Sequence, residues 1–489
     1  MSEPIRFYFR GQIQHVDDIA PTRTILQHLR EDRCCTGTKE GCAEGDCGAC
    51  MVVIGEINKG QLELKSVNSC IQFMPTLDGK ALFTIEDLKQ ADGSLHPVQQ
   101  AMVECHGSQC GFCTPGFTMS LWSLYLKKED KTTPPCRKQI DETLSGNLCR
   151  CTGYRPIIDA AKRMGELPEI NLDRTPIISA MQSLQREKMF TYEANKQSFY
   201  APRTLAELVQ IRASKPNASI LSGSTDVGLW VTKQMRDLGD IIYVREVKEL
   251  KSILVRDDKI EIGAGVSLND AYAAVCQYYK NELSEMWQRF ASQPIRNVGT
   301  LGGSVANGSP IGDSGPWMIA LGAETVVNGV SGQRVLLLEN FYLDYMKKDL
   351  RAGEFVEAVR IPLPHANLQF RTYKLAKRYD QDISAVCAAF AIRLDGNIVR
   401  DAHIAFGGMA ATSKRAPQAE AALNGQLWNE EALSNAMTML VQDYTPLSDM
   451  RASREYRMKT AQNLLRRFWL ETRLNAPMAV SSLNAFAST

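Results

Sequence analysis

Hydrophobic and polar positions alternate at the start of the chain, where Ile5, Phe7 and Phe9 are each separated by one residue. A period of two predicts a half-buried β-strand. Two further elements are predicted nearby, a short helix around Thr24–Arg30 and a strand in the β-branched run at Met51–Ile54. We therefore predict a small β-rich domain over residues 1–90.

Helical spacing replaces this alternation from Val98 to about Met164. Phe117, Leu121 and Leu124 would share one buried face of a helix that begins at Thr114-Pro115. Further helical stretches are predicted around Gln139–Leu144 and Ile157–Met164. The pattern predicts a helical domain over residues 91–165.

The next segment, residues 166–190, mixes prolines and charges without a sustained period, which predicts a linker. Helical and strand-like pieces then alternate over 191–365, which predicts an α+β domain; they include Thr204–Ala213, Ser219–Leu221 and Ile260–Ile262. A last domain over 366–489 has strand-like stretches first and helical ones after; the strands are Phe370–Lys374, Ser384–Leu394 and Ala402–Phe406, and the helical part is Asn429–Arg473.

The length and charge of the chain narrow its class. At 489 residues it has room for about three or four domains. Lys and Arg (56) nearly balance Asp and Glu (55), so no basic excess favours nucleic acid or an anionic membrane as a partner. No signal peptide is recognisable at the start and no apolar run is long enough to span a membrane, so we expect a cytoplasmic protein.

Cysteine usage is uneven, because twelve of the fourteen cysteines precede residue 152. Only Cys276 and Cys387 follow. A disulfide framework belongs to short secreted chains and is disfavoured here. The distribution therefore predicts a metal-rich N-terminal third.

The first cysteine group has the spacing Cys42-x4-Cys47-x2-Cys50, with nineteen residues between Cys50 and Cys70. This is the plant-ferredoxin spacing for a 2Fe-2S cluster. Four thiolates must converge in a tight loop, which its glycines permit: Gly37, Gly41, Gly45 and Gly48. A zinc site with four cysteine ligands is the alternative, but such sites usually combine two short hooks, and Cys70 stands alone.

The second cysteine group combines Cys110-Gly-Phe-Cys113 with Cys149-Arg-Cys151. Each pair precedes a predicted helix, and helix N-termini stabilise thiolates. By spacing alone both an iron–sulfur cluster and a zinc site remain open, because many zinc hooks share the C-x2-C pattern.

Two glycine-rich loops lie further along the chain: ILSGSTDVG at Ile220–Gly228 and TLGGS at Thr300–Ser304. Neither matches the Rossmann or P-loop pattern. Their small residues could nevertheless present consecutive backbone N–H groups to a pyrophosphate. On their own the loops are weak evidence, because glycine-rich loops are more commonly ordinary turns.

The strings HGSQCGFCTPGF (His106–Phe117) and GNLCRCTGYRPI (Gly146–Ile157) resemble the signature of the second 2Fe-2S domain in the xanthine oxidase and dehydrogenase family of molybdenum hydroxylases. The cysteine groups and glycine loops also follow one another in an order similar to that in the same family, and the resemblance extends from about residue 3 to about residue 475. The resemblance implies a multidomain α+β fold: a β-grasp ferredoxin-like 2Fe-2S domain (1–90), a four-helix 2Fe-2S domain (91–165), a vanillyl-alcohol-oxidase-type FAD-binding domain (191–365) and a C-terminal α/β flavoprotein domain (366–489).

The resemblance also implies which residues hold each cofactor. The ligands of two 2Fe-2S clusters would be Cys42, Cys47, Cys50 and Cys70, and Cys110, Cys113, Cys149 and Cys151. The FAD pyrophosphate and adenosine would contact Ile220, Leu221, Ser222, Gly223, Ser224, Thr225, Asp226, Val227, Thr300, Leu301, Gly302, Gly303 and Ser304. Phe290 would lie by the isoalloxazine, Asp313 and Lys374 would make polar FAD contacts, Val356 an apolar one, and Gln109 would hydrogen-bond the molybdopterin of a partner.

Several positions fall outside this pattern. Ser304 stands where the family commonly has Asn, and Gln381 replaces the first of two acidic residues near the flavin ring, which bears on the choice between NAD+ and another electron acceptor. Six cysteines lack ligand spacing and are expected to be buried small hydrophobic residues: Cys34, Cys35, Cys105, Cys136, Cys276 and Cys387.

The function implied by the resemblance is electron transfer, with no catalytic acid or base in this chain. Electrons from a molybdopterin centre would pass through both clusters to FAD and then to NAD+ during hydroxylation of hypoxanthine or xanthine. The molybdopterin and the substrate pocket would belong to a large subunit, in a heterotetramer of two small and two large subunits. Two alternatives stay open: the equivalent part of a relative acting on aldehydes, N-heteroaromatic compounds or carbon monoxide, and a zinc-stabilised non-catalytic binding module.

Overall fold

The computed structural model describes residues 2–127 and 133–479. The chain forms two compact units: Met1–Glu249 with Ser267–Asn269 and Ala291–Thr300, and Leu250–Val266 with Asp270–Phe290 and Leu301–Thr489. The predicted helical and C-terminal domains include residues 128–132 and 480–489, which lie outside the described residues. Within the described ranges, none of the helices has the length and apolar character needed to cross a membrane.

A five-stranded mixed sheet opens the first unit. Ile5–Phe9 pairs antiparallel with Gln12–Val16 and parallel with Ala81–Phe83. Met51–Asn58 pairs antiparallel with Ala81–Phe83 and with Gln61–Asn68. Ile5, Phe7 and Phe9 are buried and alternate with half-buried residues, as a strand with one core face requires. The predicted short helix is Ile25–Gln27, which Thr24 caps and a π-helical turn at His28–Asp32 continues.

Four helices follow this sheet where helical spacing predicts them: Pro97–Glu104, Thr114–Lys127, Arg137–Leu144 and Arg155–Arg163. Phe117, Leu121 and Leu124 are buried in one core with the sheet residues Val53 and Phe83. This core fixes the helices, and therefore the turns before them, against the sheet.

A further helix, Thr175–Ser183, lies in the segment 166–190 that predicts a linker. Ile177 and Met181, four residues apart, are buried in the core of the preceding helices. Part of the segment is therefore anchored by an apolar helix face instead of crossing the surface freely.

The second sheet of this unit has the strand order Phe190–Ala194, Gln197–Ala201, Ile241–Tyr243 and Ser219–Leu221. The accompanying helices are Leu205–Ser214, Val227–Thr232 and, from later in the chain, Gln293–Val298. Phe7 and Phe73 share a core with Phe199 and Leu221 of this sheet. The strand before the first glycine loop is thus fixed to the core of the ferredoxin-like sheet.

The described residues of the second unit form three sheets. Their strand orders are Ile253–Arg256, Lys259–Gly263, Phe355–Pro362, Glu324–Asn328 and Arg334–Leu337; Tyr342–Asp344 and Lys347–Lys348; and Leu368–Leu375, Val386–Asp395, Ile398–Gly407 and Lys414–Arg415. The helices of this unit are Leu268–Val275, Lys280–Arg289, Leu301–Asn307, Ser314–Ala320, Leu338–Phe341, Pro417–Leu423, Glu430–Asp443 and Arg454–Thr472. The first two residues of Leu268–Val275 belong to the first unit. Strands precede helices after residue 366, and the chain as a whole has the predicted multidomain α+β fold.

Candidate functional site

The first cysteine group lies in one loop and after the neighbouring strand. Cys42, Cys47 and Cys50 precede the strand Met51–Asn58, and Cys70 follows Gln61–Asn68. The sulfur atoms of Cys50 and Cys70 are 3.3 Å apart. The thiol of Cys42 contacts those of Cys47 and Cys70. The antiparallel hairpin therefore brings all four sulfurs together.

Polar groups surround these sulfurs. The backbone N–H groups of Asp46 and Cys47 each donate to the Cys42 sulfur at 3.4 Å. The contact with Cys47 lowers the pKa of the Cys42 thiol, and the contact with Cys70 lowers the pKa of the Cys50 thiol. The same contacts raise the pKa of the Cys47 and Cys70 thiols, so the four sulfurs titrate as one interacting group. The thiolate is the form of cysteine that binds metals.

Glycines allow the loop to curl around the sulfurs. The φ angle is +76° at Gly45 and +70° at Gly48, a region that favours glycine. A Cβ atom on Gly41 would lie 2.8 Å from the Cys47 sulfur. Side chains at these positions would obstruct the convergence of the thiols.

The second cysteine group pairs across two turns, each of which precedes a helix. The paired thiols are Cys113 with Cys149 and Cys110 with Cys151. The Cys149 sulfur lies 3.2 Å from the Thr152 hydroxyl oxygen. Burial raises the pKa of Cys113 to about 12. At Cys149 burial also acts to raise the pKa, but hydrogen bonds with Thr152, Cys151 and Cys113 together outweigh it and the pKa is lowered.

This second group reaches the protein surface. Cys110 and Cys151 are exposed. The Phe112 and Tyr154 rings beside them are 47% and 37% exposed. Gln109, the predicted molybdopterin contact, is also exposed. A partner could therefore approach this group directly.

The two cysteine loops are in backbone contact with each other. A Cβ atom on Gly116 would lie 2.1 Å from the Gly48 carbonyl oxygen, and one on Gly48 would lie 2.2 Å from the Gly146 carbonyl oxygen. Asn147 is buried and accepts a hydrogen bond of 2.7 Å from the Ser120 hydroxyl. Because Gly48 and Gly116 have no side chains, the backbones of the two cysteine loops can lie in direct contact.

Both donor sets fit iron–sulfur clusters. Each consists of four thiols, and all fourteen cysteines, which fall within the described residues, are free of disulfides. Cysteine thiolates are the usual ligands of 2Fe-2S clusters. No three His, Cys, Asp or Glu side chains of the described residues are already arranged around a single metal ion. The fit therefore rests on the donor chemistry and on the contacts between the sulfurs.

The six remaining cysteines are not all buried, so that expectation is wrong in part. Cys35, Cys276 and Cys387 are buried, Cys105 is half-buried, and Cys34 and Cys136 are exposed. Cys34 has a φ of +53° in the turn after a helical segment, and Cys136 precedes the first residue of a helix. Both positions lie at the ends of elements, where side chains face solvent.

The first glycine loop follows the strand Ser219–Leu221 in the first unit. A Cβ atom on Gly223 would lie 2.0 Å from the Val298 carbonyl oxygen, so the two backbones touch. The hydroxyl oxygens of Ser222 and Thr300 are 3.1 Å apart. The structure thus places Thr300 beside the loop Ile220–Val227.

Ser224 gives this loop the form of an anion site. It has a φ of +60° and is 3% exposed. Its buried hydroxyl has no hydrogen-bond partner among the described residues. Turn conformations of this kind direct successive N–H groups into one concavity that binds anions. The enclosed hydroxyl is out of reach of a bound ligand, so the fit of this loop to an FAD pyrophosphate rests on its backbone N–H groups.

In the second unit, Leu301–Ser304 begin the helix Leu301–Asn307. A Cβ atom on Gly302 would lie 2.4 Å from the Ala264 Cα atom, so glycine permits close packing. Leu301 and Gly302 are buried, whereas Gly303 and Ser304 are partly exposed. Only the latter two are open to a ligand.

Asp313 and Lys374 form a buried ion pair in the second unit, with 2.5 Å between Oδ2 and Nζ. The Ser384 hydroxyl donates to the other Asp313 oxygen at 2.5 Å. Lys374 also donates to the Asp382 carbonyl oxygen at 2.8 Å. The two residues that are predicted to make polar contacts with FAD are therefore bonded to each other, and their contacts with FAD stay predictions.

Phe290 and Val356, the two other residues of this unit that are predicted to contact the flavin, lie in different secondary-structure elements. The Phe290 ring centroid is 5.8 Å from that of Tyr272, whose hydroxyl accepts a hydrogen bond from Trp317. Val356 is buried in the strand Phe355–Pro362. Their roles toward FAD remain predictions.

Two polar residues that the sequence does not single out flank Cys70. The side-chain amide of Asn68 lies 3.8 Å from the Cys50 sulfur. Gln72 is buried and donates to the Gly223 carbonyl oxygen at 2.8 Å. Amide side chains two residues before and two residues after an isolated cysteine, in the stretch SVNSCIQFM, are a signal that could have found them.

Comparison with family models matches three regions of the chain. Residues 84–162 match a [2Fe-2S] binding domain. Residues 191–364 match the FAD binding domain in molybdopterin dehydrogenase, and residues 371–472 match the CO dehydrogenase flavoprotein C-terminal domain.

The chain is also similar to complete proteins. It is 32% identical to xanthine dehydrogenase of Emericella nidulans over 90% of its own length and 36% of that protein, and 30% identical to xanthine dehydrogenase 1 of Arabidopsis thaliana over 98% and 40%. It thus spans under half the length of these relatives.

Solved structures share part of the fold. A chain of the Cu,Mo-CO dehydrogenase in its cyanide-inactivated form has a TM-score of 0.52 and 25% identity, covering 55% of this chain and 94% of that one. A chain of quinoline 2-oxidoreductase from Pseudomonas putida 86 has a TM-score of 0.52 and 27% identity, with coverages of 57% and 97%.

Proposed function

The chain belongs to the molybdenum hydroxylase family, whose iron–sulfur and FAD-binding domains it carries, and we propose that it is the electron-transfer subunit of a xanthine dehydrogenase. It would pass electrons from a molybdopterin centre, where hypoxanthine or xanthine is hydroxylated, to NAD+. When bound, each 2Fe-2S cluster would carry single electrons and FAD would combine two of them for a hydride transfer.

The observation that carries the proposal is the continuity of the sites within the first unit. The second cysteine loop touches the first through Gly48 and Gly146. The first touches the flavin loop through Gln72 and Gly223. The order of contacts is therefore the order in which electrons would travel, from the surface group inward.

The chain's own residues would bind and orient the cofactors. Four thiols would hold each cluster: Cys110, Cys113, Cys149 and Cys151 near the molybdopterin, and Cys42, Cys47, Cys50 and Cys70 nearer FAD. The loop Ile220–Val227 with Thr300 would hold the FAD pyrophosphate. The fixed pair Asp313 and Lys374 would contribute polar FAD contacts in the second unit.

We further propose a large molybdopterin-binding subunit as the partner, in a heterotetramer of two small and two large subunits. The exposed Phe112, Tyr154, Cys110 and Cys151 support a covered face at the second cysteine group. The substrate pocket would lie in that partner, and Gln109 would reach its molybdopterin.

A second candidate is the equivalent module of an enzyme acting on carbon monoxide or an N-heteroaromatic compound. The similarity to the Cu,Mo-CO dehydrogenase and quinoline 2-oxidoreductase chains favours it. Those likenesses cover 55% and 57% of this chain, whereas the xanthine dehydrogenases match 90% and 98%, so we prefer the purine enzyme.

Purification with and without a co-expressed large subunit tests the proposal. The chain alone should reduce a dye with NADH but form no NADH from hypoxanthine or xanthine, and the large subunit should add that activity. In the complex, Cys149→Ser should stop purine-dependent NADH formation and spare NADH-driven dye reduction, because electrons entering at FAD can leave before that cluster. Purine turnover by the chain alone would contradict the proposal, and turnover of quinoline or carbon monoxide alone would favour the second candidate.

A further inference from the structure

We propose that Gln72 is a positioning residue for FAD, which fixes the Gly223–Ser224 peptide in its phosphate-binding orientation and couples FAD retention to the loop that contains Cys70. This rests on the proposed function in one respect, namely that residues 220–227 hold FAD. The role of Gln72 does not depend on the identity of the substrate or on the partner subunit.

The orientation of the peptide follows from one hydrogen bond. The Gln72 side-chain amide donates to the Gly223 carbonyl oxygen at 2.8 Å. In a planar trans peptide the C=O and the following N–H point in opposite directions. Holding the Gly223 carbonyl toward Gln72 therefore turns the Ser224 N–H to the opposite side of the loop.

The proposal places the phosphate on the side to which this N–H group points. Ser224 has a φ of +60°, the left-handed conformation that occurs in anion-binding turns. A rotated Gly223–Ser224 peptide would point a carbonyl oxygen at the phosphate in place of an N–H group. Such a rotation would replace attraction by repulsion at the point of binding.

A second contact closes the other side of Gly223. The Val298 carbonyl oxygen leaves no room for a side chain there and itself accepts a hydrogen bond of 2.7 Å from Arg245. Gly223 is therefore held between two fixed groups, of which only Gln72 donates to its carbonyl oxygen.

Gln72 in turn is placed by the first cysteine loop. It lies two residues after Cys70, and Ile71 between them is packed with Cys50 and Cys70 in one small apolar cluster. Leu229, which follows the flavin loop, packs against the same cluster. Binding of a metal cluster by Cys70 would therefore fix Gln72, and coupling between two sites is reciprocal.

The chain offers a matched control. The Thr232 hydroxyl donates to the Ala43 carbonyl oxygen at 2.8 Å, so it also joins the region after the flavin loop to the first cysteine loop. Unlike Gln72, it makes no contact with Gly223. Thr232→Val removes one bond between these regions and leaves the flavin peptide untouched.

The experiment measures the Kd for FAD of the full chain by flavin fluorescence, with the visible circular dichroism of the clusters as a check of folding. Gln72→Met keeps the side-chain volume and removes the donor; we expect the Kd to rise roughly tenfold or more. Thr232→Val should leave it within about twofold of the wild type. Hydrogen exchange should show that FAD protects the Ser224 amide in the wild type and protects it less in Gln72→Met. Gln72→Ala, with the same expected result, replaces Gln72→Met if the latter does not fold.

The outcomes separate this inference from the function on which it rests. A Kd unchanged in Gln72→Met, or raised equally in Thr232→Val, would overturn the role of Gln72 while leaving the flavin loop in place. If FAD gives no protection to residues 222–226 in the wild type, the assignment of the loop fails and the inference fails with it.

Discussion

The backbone N–H of Leu148 donates a hydrogen bond of 3.0 Å to the carbonyl oxygen of Cys47. Cys47 belongs to the first cysteine group, and Leu148 is next to Cys149 of the second. One hydrogen bond thus joins the backbones that carry the two groups. The separation of two bound clusters would be set by packed backbone, not by mobile side chains.

Gly116→Ala should disturb this junction. The new Cβ atom would lie 2.1 Å from the Gly48 carbonyl oxygen, and neither backbone can give way without moving a cysteine loop. We expect a loss of about 1–3 kcal/mol in the free energy of unfolding and a weaker magnetic interaction between the reduced clusters. Denaturant titration and electron paramagnetic resonance measure the two effects.

Ser123→Ala on the same helix is the control. Ser123 is buried, and its hydroxyl has no partner in the described part of the chain, so its removal should lower neither the stability nor the magnetic interaction. Wild-type stability and spectra in Gly116→Ala would show that the loops are not in tight contact.

The metal content should report two clusters per chain. We expect about four irons, about four labile sulfides and about one FAD, with little zinc. Cys149→Ser should lower the iron to about two and remove one paramagnetic signal, because only the second group loses a ligand. Cys136→Ser, an exposed cysteine outside both groups, should keep the full content. Stoichiometric zinc would mean that one group is not an iron site.

Lys374→Met should destabilise the second unit strongly. Asp313 is 3% exposed and would keep a buried charge without its cation. Breaking a buried pair in this way costs about 3–5 kcal/mol. The double variant Lys374→Met with Asp313→Leu should recover most of the stability but not FAD retention. Unfolding curves and FAD content test both statements, and a single variant as stable as the wild type would argue against the pair.

Alkylation should separate the cysteines outside the clusters. Burial raises the pKa of Cys276 to about 11, so the reactive thiolate is scarce at neutral pH and becomes common only as the pH approaches that value. Cys34 and Cys136 are exposed. Iodoacetamide should therefore modify Cys34 and Cys136 in the folded protein, and Cys276 only after denaturation. Mass spectrometry of the peptides gives the answer, and early labelling of Cys276 would refute its burial.

Local patterns were sufficient for part of this picture. The alternation of Ile5, Phe7 and Phe9 marks a strand because a strand places every second residue on one face. The short cysteine spacings predict that sulfurs converge, because cysteines two to five residues apart in one loop can turn their side chains toward the same point. The strand, and the closely spaced cysteines within each loop, depend on residues close together in sequence.

Other features depend on distant or ambiguous residues. The contact of Gln72 with Gly223 joins positions 151 residues apart, and no period in the sequence encodes it. The helix Thr175–Ser183 was missed because Pro176 suggests a linker, although proline is tolerated in the first turn of a helix. The exposure of Cys34 depends on a turn that composition does not reveal.

The first unit combines segments that are far apart in the sequence, and this affects how the protein folds during synthesis. Asn297 donates to the Ser66 carbonyl oxygen, 231 residues earlier, and Ile295 packs against the cluster that contains Cys50 and Cys70. A ribosome adds roughly 5–20 residues per second, so the nascent sheet waits on the order of tens of seconds for this cover. During synthesis, iron and sulfide would therefore have a window of access to thiols that are enclosed in the finished protein.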